Sequence, residues 1–97
     1  MSVQPSQHQI RAAIEVARIV DASGNPYGDV RSSYRLALTD GAHRVESFVA
    51  GEELLLSLGL LFERDGRLFP AEALTVLARV EGSEAERVVR ARHASVF

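Results

Sequence analysis

The chain has 97 residues, 46% of them hydrophobic and 25% charged, which suits one domain with a single modest core. It has no cysteine, which excludes disulfides and thiolate metal sites, and its net charge of −2 argues against a strongly nucleic-acid-binding domain. No apolar run approaches the roughly 20 residues of a membrane span, and no basic-then-apolar leader indicates secretion.

All 11 basic residues are arginine. A GC-rich coding sequence explains that total. Selection for planar, bidentate recognition of carboxylate or phosphate would instead show as clustering. Five arginines stand against four acids from Met1 to Arg44, and three against six from Val45 to Val80. A local basic face on a mildly acidic domain is compatible with that distribution.

In chain order, Met1 to Ser6 reads as a flexible start. Ser6-Gln7-His8-Gln9 fits a capping box, which predicts a short helix from about Gln7 to Ala13. Ile14, Val16, Ile19 and Val20 are β-branched, and we read a strand there. Ile10, Ala13, Ile14 and Ala17 also fit helical spacing, so a helix running on to Val20 is the competing reading. Asp21 to Ser33 is rich in turn formers and reads as a long loop carrying Tyr27 and Arg31.

Tyr34 to Ala50 then reads as two strands joined at Asp40-Gly41, because residues that tolerate positive φ between alternating apolar runs signal a hairpin. A two-residue turn sets Arg35 opposite Glu46. A three-residue turn with a bulge exchanges the faces, and both registers stay open. Glu52 to Gly59 reads as a short helix, acidic at its start and stopped by Gly59, with Leu54, Leu55 and Leu58 facing the core. Leu60 to Pro70 is a connection with a turn at Asp65-Gly66, tacked to the core by Leu61, Phe62, Leu68 and Phe69.

Leu74, Val76, Ala78 and Val80 alternate with Thr75, Leu77 and Arg79, which predicts a strand over 73–80. The alternation of Val88, Arg90 and Arg92 with Val89 and Ala91 predicts a last strand over 87–97. Its rival is a helix capped by Ser83, with Glu86 closing a capping box. Helix, strand, loop, hairpin, helix, strand, strand is the order of an all-β fold, a five-stranded OB-fold barrel with a helix between its third and fourth strands. One domain spans residues 1–97.

Tyr34-Arg35-Leu36-Ala37-Leu38-Thr39-Asp40-Gly41, followed by Ser47-Phe48-Val49-Ala50, resembles the signature hairpin of the N-terminal OB domain of the replication protein A large subunit. The helix at Gln7 to Ala13, the helix at Leu54 to Leu58 and the strand at Arg87-Val88-Val89 fall in that family's order. Only the hairpin is a specific motif. The resemblance implies a nuclear recruitment module of DNA replication and repair. Its basic cleft would take acidic amphipathic segments of repair or checkpoint proteins. By position that cleft includes Arg35, Ser47, Val49, Val88 and Arg90, in the bulged register. Ser33 stands where the family has a basic residue, and Glu81, Glu84 and Glu86 precede the last strand where basic character is expected.

Arg31, Arg35, Arg44, Arg90 and Arg92 are the candidate anion-binding residues. The alternative role for them is as ordinary solvated strand-face arginines. Exposed ion pairs contribute roughly 0–1 kcal/mol each, so affinity has to come from apolar contacts such as Val49 and Val88. Tyr27 is the one candidate base-stacking residue, which points to weak single-stranded DNA binding at most. The histidines His8, His43 and His93 lie at no ligand spacing. No phosphate loop or nucleophile elbow organises the polar residues. Neither a cofactor, a metal nor an enzymatic activity is therefore expected.

Two further readings compete with a protein-recruiting barrel. One is direct single-stranded DNA binding by the barrel. The other is a winged helix, with helices over 10–20 and 42–58 and a wing from Phe62 to Phe69 around Asp65-Gly66. Its recognition helix would carry Glu46, Glu52 and Glu53, which favours a protein partner over phosphate.

Overall fold

The computed structural model describes residues 4–23, 29–30 and 45–97. Among these the elements are α1 (Gln7–Ala22), α2 (Val45–Ser57), β1 (Leu61–Arg64), β2 (Arg67–Pro70), α3 (Glu72–Arg79) and α4 (Ser83–Val96). Four helices and one two-stranded hairpin are mainly-α architecture, and the OB-fold barrel is overturned. The resemblance to the replication protein A domain falls with it. The nuclear location rested on that resemblance alone and loses its support. No described helix is long and apolar enough to cross a membrane.

Each corrected segment has a physical reason. α1 starts where the capping box places it. The Gln9 amide donates to Ser6 Oγ at 3.1 Å, and the Ser6 amide donates back to Gln9 Oε1 at 2.7 Å. The helix continues through Ile14, Val16 and Val20 because a wide stripe (Ile10, Ala13, Ile14, Ala17, Val20) repeats at helical spacing and is buried. That burial outweighs the modest β preference of the branched residues.

The first arm of the expected hairpin, Tyr34–Thr39, and its Asp40-Gly41 turn lie outside the described residues. Its second arm, read from His43 to Val49, is helical from Val45 on, so the question of register lapses. α2 therefore begins earlier than the helix expected from Glu52. It ends as the sequence suggests. The Leu60 amide donates to the Leu55 carbonyl at 2.9 Å and the Gly59 amide to Leu56 at 3.1 Å. This is a Schellman ending, with Gly59 at φ 72° and the side chains of Leu55 and Leu60 both buried.

The strand expected over 73–80 is α3. Leu74, Leu77 and Ala78 are its buried residues, a helical i, i+3, i+4 set, while Val76 is 61% exposed. A strand would have buried Val76 with Leu74. The expected last strand is α4, with Ala85, Val89 and His93 buried four residues apart. Its N-cap is Gly82, and Ser83, the cap of the rival helix reading, is the first helical residue.

The core is one cluster. α1 packs against α2 and α3, and Leu61 and Leu68 of the hairpin close it from one side. Val30 is 1% exposed and belongs to the same cluster. α3 is tied to α1 at the surface. Arg79 meets Asp21 at 3.4 Å, and Arg18 donates to the Val80 carbonyl at 2.9 Å.

Candidate interaction surface

The hairpin is built by its turn. Asp65 has φ 52° and Gly66 φ 76°, two consecutive left-handed residues, which is what a two-residue turn matching strand twist needs. That turn sets the register: Arg64 pairs with Arg67, Glu63 with Leu68, Phe62 with Phe69 and Leu61 with Pro70. The ladder extends one step further, with the Ala71 amide donating to Leu60 at 2.9 Å. On the outer edge the Leu68 amide donates to Asp29 Oδ1 at 3.2 Å, so a side chain covers a strand group that would otherwise face solvent.

Side chains alternate across a two-stranded ribbon, so this register sorts them into faces. Leu61 and Leu68 point into the core and are fully buried. Phe62, Arg64, Arg67 and Phe69 share the opposite face. Phe62 is 43% exposed, and its ring stacks on Phe69 with centroids 5.8 Å apart. The Arg64 guanidinium lies 5.8 Å from the Phe62 ring centre, within cation–π range. Arg67 is exposed opposite Arg64. Among the described residues neither arginine has an ion-pair partner. The face is aromatic at its base and basic at its tip.

The exposed side of α2 has the opposite character. Val49 is 48% exposed, Glu53 is exposed and Leu56 half-buried, at i, i+4 and i+7. The helix sequence, Val-Glu-Ser-Phe-Val-Ala-Gly-Glu-Glu-Leu-Leu-Leu-Ser, contains three glutamates and no basic residue.

The residues singled out from sequence fall as follows. Tyr27, Arg31, Arg35 and Arg44 lie outside the described residues. Ser47 and Val49 are on α2, and Val88, Arg90 and Arg92 on α4. Arg90 reaches Gln7 at 3.4 Å, near the start of α1. Arg92 donates to the Leu58 carbonyl at 2.9 Å, at the end of α2. The two arginines are two positions apart on a helix and serve different neighbours. The common face that joined them was a property of the barrel.

Phe62 and Phe69, read as core from sequence, are the residues that reading missed. The signal was present, because a two-residue turn at Asp65-Gly66 places both on the face opposite Leu61 and Leu68.

A groove of about 580 Å³ lies between α1 and the start of α4. Arg11, Arg18, Glu15 and Glu86 line it, two of each sign, with Ile14 and Ile19 between them. Arg18 is held by Val80, and Gln7 donates to Glu86. Its charges balance within the groove. His93 is buried and stacks on Phe97 at 4.9 Å, and among the described residues its Nδ1 has no hydrogen-bond partner. Among the described residues no group of three or more His, Asp or Glu is placed to hold a metal ion. Comparison with family models, with curated proteins and with solved structures finds no match for this chain.

Proposed function

We propose that this chain is a protein-interaction domain of winged-helix type, in which the β1–β2 hairpin receives acidic amphipathic segments. α1, α2 and the hairpin occupy the spans that the winged-helix reading gives to its helices and its wing.

The observation that carries the proposal is the charge of α2. A helix that precedes a wing is the one such a unit lays on a duplex, and phosphate contacts dominate that affinity. Three glutamates and no basic residue make α2 repel phosphate. The hairpin face supports the choice of partner. Phe62 and Phe69 offer apolar contact, and Arg64 and Arg67 can pair with carboxylates.

The test is a pair of titrations at low salt, followed by amide-resolved NMR. A synthetic acidic amphipathic peptide should shift the hairpin resonances, and Arg64→Glu/Arg67→Glu should abolish the shifts. Duplex and single-stranded oligonucleotides should leave the spectrum unchanged. Salt-steep oligonucleotide binding with no response to the peptide would overturn the proposal.

A further inference from the structure

The α2 stripe and the hairpin face are complementary to each other, and both belong to one chain. We infer that a second copy of this chain is the occupant of the hairpin face, docking the exposed stripe of its α2 there. The inference rests on the protein-binding reading above and names its partner.

Three observations carry it. First, each patch pairs apolar surface with charge of one sign. The hairpin offers Phe62 with Arg64 and Arg67, and α2 offers Val49 and Leu56 with Glu53. Second, those charges are unspent within the chain. Among the described residues Arg64, Arg67 and Glu53 make no ion pair. Third, α2 runs into β1 through the Schellman turn and packs against it, so both patches sit on one rigid unit. A two-fold axis then makes the contact twice. The hairpin of each protomer takes α2 of the other, and the assembly closes as a dimer. Opposite charges across that contact set the register, and like charges reject a hairpin-to-hairpin alternative.

An aromatic and basic ribbon also suits a single strand of nucleic acid. The glutamates of α2, on the same rigid unit, disfavour that occupant.

The test is sedimentation equilibrium of the full chain over a range of concentrations at low salt, with circular dichroism confirming that each variant folds. Wild type should show a monomer–dimer equilibrium. Arg64→Glu/Arg67→Glu should weaken it by roughly tenfold, and so should Glu53→Arg. Mixing the two variants should restore association, because each then offers the other a complementary pair of patches. A wild-type chain that stays monomeric, or variants that associate like wild type, or a mixture that stays apart, would overturn the inference. Oligonucleotide binding lost in Arg64→Glu/Arg67→Glu would overturn both this inference and the protein-binding reading. A monomer that ignores oligonucleotides but binds the acidic peptide removes the second copy alone.

Discussion

A Cβ placed on Gly51 would stand 2.6 Å from the carbonyl oxygen of Ala12, so α1 and α2 cross there with backbone against backbone. The same atom would meet Val16 Cγ2 at 2.6 Å and the Ala12 carbonyl carbon at 2.9 Å. Rotating one side chain cannot clear backbone atoms, so the helices themselves must move apart. Gly51→Ala gains about 1 kcal/mol of helix propensity but incurs overpacking of about 1–3 kcal/mol. We expect a net loss on the order of 1 kcal/mol in urea denaturation, and a larger one for Gly51→Val. A stabilised Gly51→Ala would contradict this crossing.

Ser6 and Gln9 satisfy two backbone amides reciprocally at the start of α1. α1 is also the helix against which α2 and α3 pack, so fraying it loosens the core. Ser6→Ala is expected to cost about 1 kcal/mol and Ser6→Asp much less, since aspartate also caps. The denaturation midpoint measures both. Equal losses would mean that the cap is not made.

The hairpin turn makes a conformational prediction free of packing. A Cβ on Gly66 would meet none of the described residues within 4 Å, yet its φ is 76°. Gly66→Val should therefore destabilise by about 1–2 kcal/mol through backbone strain alone, and Gly66→Asn by less, because asparagine tolerates the left-handed region. If the two variants were equally stable, the turn would be of another type.

The local signals of this chain were legible: the capping box at Ser6, the stop at Gly59 and the turn at Asp65-Gly66. Each is chemistry within a few residues. The errors came from period. Leu74, Val76, Ala78 and Val80 satisfy alternation, but Leu74, Leu77 and Ala78 satisfy helical spacing equally well. Only packing decides, by burying Leu77 and leaving Val76 out. Ile14, Val16 and Val20 misled in the same way, since burial against α2 and α3 overrides their β preference. The candidate surface was half legible. The Asp65-Gly66 turn already implied that Phe62, Arg64, Arg67 and Phe69 share a face. That the chain's own core cluster, and not a partner element, buries Leu61 and Leu68 was a tertiary fact.

Among the described residues the buried Nδ1 of His93 has no partner, and an orphaned polar atom costs about 1–3 kcal/mol. His93→Leu, of similar volume, should leave stability unchanged or raise it. A loss above about 2 kcal/mol would show that the imidazole makes a bond that holds α4 in place.

The hairpin face of one copy is expected to meet α2 of another. An amide-resolved NMR dilution series measures that without any substitution. Resonances of Phe62, Arg64, Arg67 and Phe69, and those of Val49, Glu53 and Leu56, should move together with concentration, on one binding curve. Shifts confined to other surfaces, such as the α1–α4 groove, or a spectrum that does not change with dilution, would contradict it.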